Sequence, residues 1–195
     1  MKLSWIIFLL LSVYGLSLGV EWNVNLQANN EVKFISRAET FIKTFRFEGI
    51  TDKIDGYLYW KDDSLFSENE LYFEIDLNSF DTGIKKRNQD MRKMILETDR
   101  WPTASYSGKI VRFEKVDTSI TAYRVVAMGD LTLHGVTKSI EIPGIVHFQD
   151  GDILVKANFS LLLTDYGMKI PSILVAKVAN RIEIRVTVYL RKVAE

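Results

Sequence analysis

Polar and apolar residues alternate with period two along most of this chain. Between Glu70 and Leu77, the residues Leu71, Phe73, Ile75 and Leu77 share one face, opposite Glu70, Tyr72, Glu74 and Asp76. Residues 181–190 repeat the pattern, and residues 153–161 follow it except at the apolar Leu154. Successive side chains of a strand point to opposite faces, so each run predicts a strand with one dry and one wet side. Further strands are expected at 55–60, 104–113, 120–128, 129–134, 139–142 and 144–149. Asp81-Thr82-Gly83, His134-Gly135, Pro143-Gly144 and Asp150-Gly151-Asp152 read as turns between them. Short strands at regular spacing predict an all-β sandwich or barrel. A barrel is preferred, because closure removes the edges that long alternating strands would expose. With eight strands its interior is wide enough for packed side chains or one small ligand.

One segment departs from period two. Over residues 84–96, Ile84, Met91, Met94 and Ile95 fall on one helical stripe, which predicts a short helix between strands. Its charges oppose the helix dipole: Lys85, Lys86 and Arg87 lead, and Glu97 and Asp99 follow its end. Each such placement costs a few tenths of a kcal/mol, so packing must hold the helix. Arg87 is out of place, three residues after Ile84 and four before Met91, beside the apolar stripe. A guanidinium there needs an anionic partner, since an unpaired buried charge is costly. Asp81, Asp90 or the anionic group of a ligand held by bidentate hydrogen bonds would serve. Lys85 and Lys86 read as a solvated face.

Composition narrows the class. The chain has 195 residues, no cysteine, 47% hydrophobic and 12% aromatic residues, and zero formal charge. A disulfide framework and thiol chemistry are excluded, and disorder is not expected. No basic field exists to hold a nucleic acid. Lys2 followed by the apolar run 5–18 and the small residues Ser17-Leu18-Gly19 has the order of a signal peptide. The run is short of the roughly 20 residues of a membrane span. Cleavage near Gly19–Val20 is expected, leaving residues 20–195 as one exported domain, periplasmic or secreted, with no stable membrane span. About 175 residues bury roughly 70% of their unfolded surface, enough for a core without disulfides.

Gly129-Asp130-Leu131-Thr132-Leu133-His134-Gly135-Val136-Thr137-Lys138 resembles the central signature of the YceI family of lipocalin-like proteins. Further pieces resemble the family in the expected order: Val32-Lys33-Phe34-Ile35-Ser36, Thr82-Gly83 with Arg87-Asn88-Gln89-Asp90-Met91, Trp101-Pro102-Thr103-Ala104-Ser105-Tyr106, and Thr164-Asp165-Tyr166-Gly167-Met168. The resemblance implies an eight-stranded antiparallel lipocalin-like barrel with an apolar channel. It implies that a polyisoprenoid or other long-chain amphiphile is held there, tail inside and head group near the rim, in a carrier or store and not an enzyme. Two departures stand out. The family's usual Arg-Asp pair reads Arg87-Asn88, and its His-Leu-Gly after the first strand is replaced by Arg37-Ala38-Glu39-Thr40-Phe41.

Strand parity nominates Phe34, Phe45, Phe47, Leu58, Trp60, Phe73, Ile75, Val125, Leu133, Phe159 and Leu161 as lining for such a channel. Met91, Met94, Trp101 and Met168 join them from the helix and loops, with Arg87 as the polar contact. Parity alone fits a packed core equally well; the resemblance turns the set toward a cavity. No cofactor is expected beyond a bound isoprenoid lipid. His134 and His147, on separate strands without a third ligand, give no metal site, and His134 is expected to point outward or cap a turn. No Gly-x-Ser-x-Gly elbow, Walker loop or Gly-x-Gly-x-x-Gly occurs, and the carboxylates of residues 70–76 lie on the wet face. The alternative function is a cell-envelope interaction protein whose barrel is filled by side chains. Tyr57 and Tyr59, expected to face outward, favour that reading and are compatible with a homodimer.

Overall fold

A computed structural model describes residues 19–193 except 41, 62–67, 117–120, 150, 171 and 174–175. The segment read as a signal peptide lies, apart from Gly19, outside the described residues. Twelve strands form one antiparallel sheet: β1 (Val20–Val24), β2 (Glu31–Glu39), β3 (Thr44–Thr51), β4 (Ile54–Trp60), β5 (Asn69–Asp76), β6 (Thr103–Lys115), β7 (Ala122–Leu133), β8 (Val136–Gln149), β9 (Asp152–Leu162), β10 (Ser172–Ile173), β11 (Ala176–Val178) and β12 (Arg181–Lys192). The path β1-β4-β5-β6-β7-β8-β9-β12 closes through pairing of β12 with β1. The expected eight-stranded antiparallel barrel is the observed fold.

Two of the eight staves are broken strands. The end of β12 pairs with β1, and its earlier residues pair with β2. Outside them, β4 lies on β1 and β3 on β2. The break at residues 25–30 would leave β12 short of partners, and Asn30 repairs it. Its buried carboxamide donates to the Asn25 carbonyl at 2.8 Å and accepts from the Tyr189 N–H at 3.0 Å. A buried main-chain amide is costly to leave unpaired, so a side chain replaces the missing strand.

The wall opens at the second break. Strand β4 continues onto β5, but β3 diverges after a single bridge between Ile50 and Asp81. The segment between β5 and β6 fills that opening. It consists of α1 (Lys85–Asp90) and a π-helical stretch, Met91–Leu96, that ends at Glu97 with φ +46°. The expected helix is therefore present, but its second half is wound one residue wider per hydrogen bond, a form often found at functional sites.

One turn expectation and one strand division are corrected. Pro143-Gly144 is not a turn: both lie inside the continuous β8, where Val126 pairs with Pro143. The ladder to β9 begins only at Gly144, so the proline sits where one side of the strand has no partner, as its missing N–H requires. Likewise the strands expected at 120–128 and 129–134 are one continuous strand, β7, over the described residues Ala122–Leu133. His134-Gly135 is the expected turn: φ is +52° and +73°, the positive values a tight two-residue hairpin needs.

The Tyr57 and Tyr72 rings lie 6.2 Å apart, tilted, on the wet face, and their phenols donate to Glu70 and Glu74. The aromatic face is thus hydrogen-bonded within its own sheet. No helix among the described residues is long and apolar enough to cross a membrane.

Candidate functional site

The barrel interior is hollow along two adjoining apolar cavities. The larger, about 420 Å³, lies between β2, β3, the helical segment and the ends of β9 and β12. The smaller, about 130 Å³, lies deeper among β4 to β9 and β12. Ile75, Ala104, Leu131 and Phe159 line both, forming a waist. Below the deeper cavity an aromatic plug closes the barrel: Trp22 on Trp60 at 5.6 Å, Trp60 on Phe148 at 6.2 Å, and Phe148 on Tyr123 at 5.6 Å.

Most nominated residues converge on this interior. Phe34, Phe45, Phe47, Ile75, Met91, Met94, Leu133, Phe159, Leu161, Met168 and Arg87 line the larger cavity. Leu58, Phe73 and Val125 line the smaller one, with Ile75 and Phe159. Phe34 meets Phe47 edge-on at 6.3 Å and Phe80 at 5.3 Å, so an aromatic row runs down one wall from Phe45 at the rim. Trp60 and Trp101 are the exceptions. Parity turns Trp60 inward, but at the last residue of β4 inward means the plug. Trp101 lies on the outer end of the β7–β8 hairpin. A Cβ on Gly135 would come within 2.4 Å of its ring, so only glycine fits beneath it.

Sequence reasoning missed Leu77, Phe80, Leu96, Ile182 and Ile184 in the larger cavity. Leu77, Ile182 and Ile184 follow the same alternation as the nominated residues and could have been found by it. Phe80 and Leu96 come from irregular segments, where period two gives no signal.

Arg87 stands at the rim with a different partner from those expected. It makes no ion pair among the described residues. Its Nε donates to the Thr82 hydroxyl at 2.9 Å and Nη2 to the Thr82 carbonyl at 2.5 Å. The guanidinium covers the Phe47 ring at 5.0 Å, an attractive cation–π contact. Asp90 pairs instead with Lys86 at 2.7 Å. Asp81 is reached only by relay: Thr82 donates to the Asn88 carboxamide oxygen at 2.5 Å, and Asn88 donates to Asp81 at 2.7 Å. The Asn88 amide and the Gly83 N–H hold the Asp81 carboxyl below its ordinary range.

This relay explains the departure at position 88. The side chain is buried and must both accept from Thr82 and donate to Asp81. An aspartate could not donate, and it would set two carboxylates at hydrogen-bond distance. Asn88 is therefore a structural link and does not reach the lining.

His134 is not outward-facing. Its ring is buried and Nδ1 bonds the Tyr166 carbonyl at 3.1 Å, capping the turn. Among the described residues, the ionisable side chains on the walls of the larger cavity are Lys86, Arg87 and Asp90, all on α1, and Tyr106 lines the smaller one. No group of three or more His, Asp or Glu side chains among the described residues could hold a metal ion.

A closed antiparallel barrel, plugged at one end, hollow within and rimmed by polar groups at the other, defines a lipocalin-like calyx. The chain belongs to the YceI-like family, whose domain model matches residues 22–190. Among solved structures it is similar to BcnA of Burkholderia cenocepacia, at 18% identity and TM-score 0.67, covering 85% of this chain and 98% of that one. A polyisoprenoid-binding domain from Saccharophagus degradans implicated in plant cell wall breakdown matches at 19% identity and TM-score 0.64, covering 87% and 97%. The YceI protein of Campylobacter jejuni matches at 15% identity and TM-score 0.55, covering 81% and 85%. No curated protein matches in sequence.

Proposed function

We propose that this protein holds one long-chain amphiphile of isoprenoid type, its tail in the two adjoining cavities and its polar end at Arg87. It acts outside the cytoplasm, periplasmic or secreted, as a carrier or reservoir and not as an enzyme. The observation that carries this reading is the interior: an apolar cavity of about 420 Å³ beside a second of about 130 Å³, with four lining residues in common. Ligand sites have this character, mostly apolar with a few polar groups that fix orientation. Methionines at 91, 94 and 168 adapt to an irregular chain. The polyisoprenoid-binding domain among its structural neighbours supports the same choice of ligand. The alternative, a barrel filled by side chains, is disfavoured by the same cavities.

Mass spectrometry of an organic extract of the purified protein tests the reading. A long-chain lipid in near-stoichiometric amount is expected, as is saturable uptake of added polyprenols by emptied protein. No extractable lipid together with no uptake would overturn it.

A further inference from the structure

Among the described residues, Ser36 is the one polar residue on the sheet wall of the larger cavity. It is 3% exposed, and its hydroxyl has no hydrogen-bond partner among them. Its neighbours on the inward face of β2 are hydrocarbon, Phe34 and Ala38. Three other buried polar atoms lack partners, on Trp22, Arg92 and His134. None of those three residues lines either cavity, so among the described residues only the Ser36 hydroxyl is buried and unpaired where an occupant would lie.

A hydroxyl in an apolar wall is destabilising when unpaired. Alanine would fit the same strand position without that penalty. The register gives the hydroxyl a context, because Ser36 pairs across the ladder with Phe47. Phe47 is the ring that Arg87 covers. Serine and guanidinium therefore flank one aromatic ring. Arg87 commits Nε and Nη2 to Thr82, and its Nη1 has no partner among the described residues.

We propose that Ser36 recognises an oxygen of the occupant, beside Phe47 and below Arg87. The ligand class is then an oxygen-bearing prenyl chain, such as an alcohol, phenol, carbonyl or phosphate ester, and not a plain hydrocarbon. Arg87 can only donate, whereas the serine hydroxyl donates or accepts, so the pair also accommodates a neutral alcohol. The proposal rests on the lipid-binding reading and adds to it the group by which the lipid is chosen.

Competition against a fluorescent apolar probe separates the two. Farnesol, farnesyl phosphate and the hydrocarbon farnesene would each be titrated into delipidated protein, unaltered or carrying Ser36→Ala or Ser36→Thr. Ser36→Ala is expected to weaken the two oxygenated ligands roughly five- to tenfold, the effect of one hydrogen bond, while leaving farnesene unchanged. Ser36→Thr keeps the hydroxyl and should keep the preference. Melting curves of both variants report folding, and Ser36→Ala should melt no lower than the unaltered protein. An oxygenate-to-hydrocarbon ratio within twofold of the unaltered protein in Ser36→Ala overturns the proposal. Equal binding of all three ligands by the unaltered protein removes the Ser36 assignment alone. Binding of none removes the lipid reading with it.

Discussion

His134 Nε2 lies 3.7 Å from a carboxylate oxygen of Glu97, and these are the two non-glycine residues with positive φ among the described residues. One ends the π-helical stretch and the other turns the β7–β8 hairpin. Because Nδ1 bonds a carbonyl, it must carry a hydrogen, so in the neutral ring Nε2 presents a lone pair toward Glu97. The ring's one hydrogen bond thus ties the hairpin to the 163–166 turn, with Glu97 only nearby. His134→Ala should cost about 1–3 kcal/mol in chemical denaturation, chiefly by leaving the Tyr166 carbonyl unpaired. His134→Asn, which tolerates positive φ and can donate, should cost less than half as much. Equal losses would show that the ring's bulk matters and the bond does not.

Arg87 separates stability from binding. A buried ion pair broken by truncation costs about 3–5 kcal/mol, but this guanidinium bonds only neutral Thr82 and a ring. Arg87→Ala should therefore lower unfolding free energy by about 1–2 kcal/mol. Its affinity for a prenyl phosphate should fall roughly tenfold, about 1.4 kcal/mol. Denaturation and ligand titration on the same preparation check both numbers. A large stability loss with unchanged affinity would make Arg87 a strut.

The sequence made the walls legible and the openings illegible. Alternation identified β5, β9 and β12 because each has one dry face. It could not reveal that β1 with β2, and β3 with β4, are single staves broken in the middle. Those breaks depend on Asn30 replacing a strand and on Asp81 forming one bridge, both long-range events. Arg87 was visible as a charge beside an apolar stripe. Its partner was not, because Thr82 acts through a carbonyl and a hydroxyl that carry no charge signal. Trp60 and Phe73 share a parity, yet one fills the plug and the other borders a cavity. Position along the barrel axis decides this, and period two is silent about it.

Ala104 sits at the waist shared by both cavities and is 7% exposed. Ala104→Leu should fill that passage. Filling a void adds apolar burial at roughly 0.8 kcal/mol per methylene where space allows, so stability should hold or rise slightly. The deeper cavity would then be cut off. A ladder of prenyl alcohols from 10 to 40 carbons should show unchanged affinity for the shortest and at least tenfold loss for the longest, about 1.4 kcal/mol. Parallel loss across all lengths would mean that occupants stay above the waist.

Tyr106 supplies a pH signature of the folded barrel. Its phenol is buried beside β7 and β8 and donates to the Ile140 carbonyl at 3.2 Å. Burial, then the carboxylates of Asp130 and Glu141, push its pKa from 10.0 up to about 12. Both effects disfavour the phenolate. Between those values the unfolded chain releases this proton while the native chain retains it, so the native state binds more protons and unfolding free energy falls as pH rises. The contribution is fully present below pH 10 and is lost as pH climbs through 12. The difference is worth about 2–3 kcal/mol at most. Denaturation midpoints measured from pH 9 to 12 should fall more steeply for the unaltered protein than for Tyr106→Phe, which has no proton to lose there. Tyr57, Tyr72 and Tyr166 are also raised, so the variant should retain part of the slope. Identical slopes would place the Tyr106 phenol in contact with solvent.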